Sequence, residues 1–265
     1  YFAGLIGVIS IIGYYEFLSK TLKSNSKIVL ISALVFSALF QTIIVSAIPV
    51  RSLPADYSVI MRLISSIPIL MFVILISIYF LFNVIMFISS VRENLTNDFS
   101  MVILGFFYTQ ILFSIITFLR DGYSKEGFLI VLFIFIMIWI NDSAAYFGGM
   151  LFGKRKLSPK LSPKKTIEGF VTTLIVTPVF GLIFFYIFKF PVNIFQTVIL
   201  SLIVSVFGML GDLFESGMKR SLGIKDFGSI LPGHGGILDR FDSVLLVSAV
   251  IFIGYYFPKW LNYPI

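Results

Sequence analysis

Cysteine is absent from this chain, and histidine occurs once, as His234. The first absence excludes disulfides, thiolate nucleophiles and thiolate-bound metals, and the second excludes metal centres built from several histidines. Charge is scarce as well. Only 12% of the 265 residues are Asp, Glu, Lys or Arg, where a soluble domain carries about 25%. No Gly-x4-Gly-Lys-Ser/Thr segment is present, so nucleotide hydrolysis on a P-loop is unsupported, and no His-Glu-x-x-His pair marks a metalloprotease.

Long apolar runs are what the chain does have. Hydrophobic residues make up 58% of it, with 31 phenylalanines and a mean hydropathy of +1.02. Predominantly apolar runs at 1–18, 28–50, 67–91, 101–119, 128–145, 170–188, 194–215 and 237–257 are each long enough to approach the bilayer thickness, and they lack the ten-residue alternation of a β-barrel. The expected fold is all-α: a polytopic integral membrane helical bundle of eight transmembrane helices with cytoplasmic active-site loops. A ninth follows if the amphiphilic segment 57–66, which carries Arg62, crosses instead of lying at the interface. Residues 1–100 supply N-terminal helices, and 101–265 supply the helices that carry the chemical motifs, at 141–169 and 211–242. Trp139 and Trp260 fall near span ends, as interfacial anchors do. The chain opens on Tyr1 instead of Met, so residues are expected to precede it, and the first run is not judged as a signal sequence.

With eight spans, fourteen of the twenty basic residues fall on one side, against six on the other including Arg62. The positive-inside rule makes that side cytoplasmic. Both motif segments lie there. The net charge of +7 needs no nucleic acid, because basic juxtamembrane loops attract anionic lipid head groups at about 1 kcal/mol per residue.

The stretch 211–242 concentrates ionisable groups between two apolar runs: Asp212, Glu215, Lys219, Arg220, Lys225, Asp226, Asp239, Arg240 and Asp242, together with His234. An ionised group inside a membrane helix costs about 2.5–3.5 kcal/mol on insertion scales, so such a cluster must pair, face water or bind something charged. A solvated loop accounts for Lys219, Arg220 and Lys225. It does not account for Asp212 after a long apolar run, nor for Asp239-Arg240-x-Asp242 opening the next. Asp239 and Asp242, three apart, share a face of a helix starting near Ile237. Oxygen-only ligands suit a hard cation such as Mg²⁺. The basic residues suit phosphate oxygens. Gly233-His234-Gly235-Gly236 ahead of a helix start offers backbone N–H groups to an anion, with His234 shaping the turn or touching substrate. The combination points to phosphoryl or nucleotidyl transfer.

The segment 141–169 repeats the theme. Asn141 and Asp142 close a very apolar span, and Gly148-Gly149, Gly153-Lys154, Ser158-Pro159 and Ser162-Pro163-Lys164-Lys165-Thr166-x-Glu168-Gly169 follow. Serine–proline steps resist helix, so a structured loop is expected. Its six basic residues, with the hydroxyls of Ser162 and Thr166, could embrace a triphosphate.

Two motifs carry a family resemblance. Ser216-x-Met218-Lys219-Arg220-x4-Lys225-Asp226-x-Gly228, then Leu231-Pro232-x-His234-Gly235-Gly236-Ile237-x-Asp239-Arg240-Phe241-Asp242, resembles the signature of the phosphatidate cytidylyltransferases without departure over 27 residues. The Asn141-Asp142…Ala145-Tyr146…Gly and Ser162–Gly169 segments resemble that family's other motifs in the same order. The half up to about residue 140 adds only topology. The resemblance implies condensation of CTP with phosphatidic acid to CDP-diacylglycerol and pyrophosphate, with a divalent metal. On this reading Asp212, Lys219, Arg220, Lys225, Asp239 and Arg240 are catalytic. Ser162, Lys164, Lys165, Thr166, Gly233, His234, Gly235 and Gly236 bind substrate. Asp212, Asp239, Asp242 and Asp142 hold Mg²⁺, with room for a second cation. The expected partners are CTP, phosphatidic acid, the bilayer and, for assembly, a second copy in a homodimer. The expected location is a multi-pass protein of the plasma or inner membrane, if the source is bacterial. Two other classes fit less well: a cation transporter or channel with intramembrane carboxylates, and a CTP-dependent lipid kinase.

Overall fold

The computed structural model describes residues 1–23, 27–51, 95–121, 126–190, 192–230, 232–233 and 235–256. The chain is mostly helical: α1 (Phe2–Thr21), α2 (Lys27–Arg51), α3 (Leu95–Gly105) continuing through a π-helical turn (Phe106–Ile111) into α4 (Leu112–Asp121), α5 (Gly127–Phe152), α6 (Ile167–Phe188), α7 (Ile194–Ser221) and α8 (Leu238–Ile251). Between α5 and α6 a short hairpin forms from β1 (Lys156–Ser158) and β2 (Ser162–Thr166). Six stretches among the described residues are long and apolar enough to cross a membrane: Phe2–Thr21, Lys27–Ser46, Asn97–Asp121, Gly127–Phe152, Ile167–Phe188 and Ile194–Ser221. Each overlaps one of the expected spans, and the protein is a multi-pass membrane protein. The expected span 67–91, the segment 57–66 and Trp260 lie outside the described residues. The expected last span opens as α8, which does not count among the six.

The boundary between α5 and the motif loop differs from expectation. Helix α5 runs on to Phe152, seven residues past the expected end at 145, so Gly148 and Gly149 are helical along with Asn141 and Asp142, which lay inside the expected span. The reason is packing. A Cβ at Gly148 would overlap the Thr172 side chain of α6, so this glycine permits a close helix crossing instead of a turn. The irregular segment shrinks to residues 153–166, and the Ser-Pro repeats fold into the hairpin. It pairs Lys156 with Thr166 and Ser158 with Ser162, with a register shift between the two pairs.

Contacts divide the chain into two units. The first comprises Tyr1–Tyr123 and Phe227–Leu238. Polar side chains tie its helices together away from water. Gln110, fully buried in the π-helical turn, accepts from the Gln41 amide of α2 at 3.0 Å and donates to the Ser10 carbonyl of α1 at 2.8 Å. Tyr14 donates to the Val102 carbonyl of α3 at 2.8 Å. With lipid tails as apolar as leucine, such bonds and tight contacts carry helix association.

The second unit comprises Ser124–Asp226 and Asp239–Ile265. Helix α6 starts where Thr166 accepts a hydrogen bond from the Gly169 N–H at 3.1 Å. Glu168 in its first turn accepts from the N–H groups of Lys154 and Arg155 at 3.0 and 3.1 Å, which pins the entry to the hairpin. A capping box between Asn193 and Gln196 starts α7. Helices α7 and α8 touch closely: Ser243 donates to the Gly208 carbonyl at 3.0 Å, and a Cβ at Gly211 would lie 2.7 Å from the Asp242 carbonyl oxygen.

Candidate active site

Helix α7 places Asp212, Glu215 and Lys219 at spacings of three and four, hence along one face. Lys219 sits in the last turn of α7 and Asp239 in the first turn of α8. Each charge complements the dipole of its own helix end. The two meet: the Lys219 Nζ lies 2.9 Å from Glu215 Oε1 and 2.9 Å from Asp239 Oδ1. The Glu215 side chain has no exposed surface and that of Asp239 has 5%, so this ammonium bridges two buried carboxylates.

The hairpin supplies a second cation. Neighbouring strand residues point to opposite faces: Lys164 is exposed, while Lys165 turns inward and pairs with Asp212 Oδ2. Ser216, one turn along α7, donates to the other Asp212 oxygen at 3.2 Å. Asp142 on α5 feels the charges of both Lys165 and Asp212, and Asp242 on α8 feels those of Asp212, Lys219 and Asp142. Carboxylates from α5, α7 and α8 thus form one electrostatic cluster with two lysines set among them. Arg220 turns to the hairpin instead, donating to the Leu161 carbonyl at 3.4 Å and to Ile224 at 3.2 Å.

Lys165 with Asp212, and Lys219 with Glu215 and Asp239, are therefore brought into contact, with Asp142 and Asp242 near enough to feel these charges. Lys164, Lys225 and Arg240 stand exposed around the motifs. Thr166 is buried and occupied as a helix cap, and Ser162 lies in the strand register opposite Ser158. His234 lies outside the described residues. Gly233 and Gly235 adopt φ of 72° and 80°, left-handed backbone that favours glycine. The N–H groups just beyond them are taken by the chain itself: Ile237 and Leu238 donate to Glu16 at 3.1 and 3.0 Å. Glu215 and Glu16 received no role from sequence. The signal available for both was an acidic residue within an apolar helix.

Oxygen-only carboxylates are the donor type a hard divalent cation takes. Among the described residues, however, no three acidic or histidine side chains converge at metal-holding distance. Asp212 and Asp239 are engaged by lysines.

With this geometry in view, comparison with known proteins is informative. The sequence model of the cytidylyltransferase family matches residues 1–257. The chain is 46% identical over 127 residues to a phosphatidate cytidylyltransferase of Staphylococcus haemolyticus, covering 48% of this chain and 49% of that protein. The corresponding protein of Staphylococcus saprophyticus is 48% identical over 127 residues, and that of Staphylococcus aureus strain COL is 47% identical, with the same shares covered. The matched region thus spans about half the length of these relatives.

Proposed function

The chain belongs to the cytidylyltransferase family, and on that premise we propose that it transfers the cytidylyl group of CTP to phosphatidic acid, releasing CDP-diacylglycerol and pyrophosphate. The observation that carries the reading is the ion pair between Lys165 and Asp212. It joins the Ser-Pro-Lys-Lys-Thr strand, proposed to take the triphosphate, to the helix that carries Asp212 and the Lys219-Arg220 motif, and this contact supports a shared site.

In the proposed reaction a phosphate oxygen of phosphatidic acid attacks the α-phosphorus of CTP. The new P–O bond forms as the bond to the bridging oxygen breaks, and that oxygen leaves with its electron pair on pyrophosphate. A phosphate monoester is already anionic near neutral pH, so the site needs no strong general base. Its task is positioning and neutralisation of charge. Lys165, with Lys164 beside it, would take triphosphate oxygens, and Lys219 would draw phosphate towards Asp239. Asp142, Asp212, Asp239 and Asp242 are the oxygen donors proposed for Mg²⁺ and a second cation, and they would hold one only after Lys165 and Lys219 release Asp212 and Asp239 and the carboxylates draw together. Bound there, the cation supplies charge neutralisation on the phosphates. Lys225 and Arg240 would contact the lipid phosphate, and Gly233, His234, Gly235 and Gly236 are proposed to bind substrate on the strength of their motif alone. The acyl chains stay in the bilayer. We place the site on the cytoplasmic face of an eight-span bundle, on the strength of basic residues concentrated in alternate loops.

The test is product identification after incubating the full-length protein with CTP, phosphatidic acid and Mg²⁺. The expected products are a cytidylylated lipid and pyrophosphate. Release of CDP would indicate γ-phosphoryl transfer instead, and absence of any CTP-dependent product from folded protein would end the proposal.

A further inference from the structure

Glu16 lies near the C-terminal end of α1, a helix apolar enough to cross a membrane, and only 2% of its surface is exposed. Burial of a carboxylate there is expensive, and the surroundings show what offsets it. Its Oε1 accepts the N–H of Ile237 at 3.1 Å, and its Oε2 accepts the N–H of Leu238, the first residue of α8, at 3.0 Å. Charge-assisted hydrogen bonds at a helix N-terminus are the arrangement in which a buried anion is best compensated.

The loop is also shaped around this carboxyl group. A Cβ at Gly236 would have the three nearest atoms within 2.7 Å, all belonging to the Glu16 carboxyl, and a Cβ at Gly228 would overlap the same group. Residues on either side of Glu16 touch both ends of the segment. Phe17 packs on Phe227 with ring centroids 5.5 Å apart, and Gly13 sits against Leu238, which is fully buried. One face of α1 therefore meets Phe227 and Gly228 at the start of this segment and Gly236, Ile237 and Leu238 at its end.

We propose that Glu16 is a positioning residue: it serves as the built-in anion at the start of α8, and so fixes the first turn from which Asp239 and then Asp242 project. Glu16 acts through the backbone at Ile237 and Leu238, one peptide bond before Asp239. The role in turnover rests on the cytidylyl-transfer reading. The backbone part does not.

Two measurements on full-length protein in lipid nanodiscs test it. The first is amide hydrogen exchange, which requires no turnover. Glu16→Gln keeps the shape but turns an amide N–H toward one of the two donors. Exchange at Ile237 and Leu238 should rise by at least about tenfold, while α5 and α6 keep wild-type protection. The second is kinetic. Glu16→Gln should lower kcat by roughly ten- to a hundredfold and leave KM for CTP within about twofold. Gly236→Ala should be damaging alone, and Glu16→Asp, which withdraws the carboxyl by one methylene, should restore part of the lost kcat in the double variant. Unchanged exchange at Ile237 and Leu238, a kcat near wild type, a pure KM effect, or strictly additive behaviour of Gly236→Ala and Glu16→Asp would each overturn the inference. Should wild type form no cytidylylated lipid, the transferase reading fails, and the exchange measurement still decides whether Glu16 holds the start of α8.

Discussion

Lys165, on the inward face of a five-residue strand, pairs with Asp212 on α7. It thereby brings together two segments that a membrane span, α6, separates in sequence. The pair satisfies a carboxylate near the end of a long apolar helix, and under the proposed function its ammonium is the group offered to a nucleotide phosphate.

Replacing Lys165 with Ala deletes that ammonium and spares Asp239, Asp242 and Asp142. A hydrogen bond to a charged group is worth about 1.5–3 kcal/mol, so kcat/KM for CTP should fall by roughly ten- to a few-hundredfold. Steady-state kinetics across CTP concentrations checks this. Calorimetry with CTP and Mg²⁺ should show the matching loss of nucleotide affinity.

Asp239→Asn and Asp212→Asn each remove a charge at nearly constant size. Cytidylyl transfer should collapse at every practical Mg²⁺ concentration, by more than about a hundredfold, while insertion and helical content by circular dichroism stay as in wild type. Near-normal turnover in either variant would remove that residue from the proposed cation site.

Lys219 bridges Glu215 and Asp239, both almost wholly buried. Lys219→Met would strand two carboxylates without their cation, and removal of one partner from a buried pair costs on the order of 3–5 kcal/mol. The expected outcome is a clear drop in thermal midpoint, larger than that of Glu215→Gln, which leaves the Lys219–Asp239 pair in place. Thermal unfolding of the two variants side by side tests the ordering.

At Gly211, α7 packs against the backbone of α8. The atoms its Cβ would meet are backbone, namely the Asp242 carbonyl oxygen at 2.7 Å and the Ser243 Cα at 3.0 Å, and backbone cannot swing aside. Gly211→Ala should force the helices apart at a cost of about 1–3 kcal/mol and reduce activity by displacing Asp242 from Asp212. A milder outcome in both stability and turnover would show that the crossing yields.

Sidedness is open to the absence of native cysteine. Single cysteines at Ser158 and Ser221 should label from the cytoplasmic face, and one at Ser52 should not. Labelling of Ser158 and Ser221 from opposite faces would break the proposed topology and the shared site together.

Apolar length was legible directly, because a bilayer-spanning helix must satisfy its own backbone and stay apolar for about twenty residues. That constraint is local, so the runs at 1–18 and 194–215 reappear as α1 and α7. The costly charges were legible for a related reason: Asp212, Asp239 and Lys219 are expensive where they stand, and each is found in an ion pair. Partners were not legible. Lys165 with Asp212, and Lys219 shared by Glu215 and Asp239, depend on how α7, α8 and the hairpin cross, and side-chain spacing within one segment carries no information on that. The end of α5 escaped for the same reason: Gly148 reads as a turn residue by type, and only the Thr172 side chain against it shows that it serves a helix crossing. Glu16 is the clearest case. Its charge within α1 stood in plain view, but the N–H groups of Ile237 and Leu238 that compensate it lie more than two hundred residues along the chain, and only tertiary folding brings them to it.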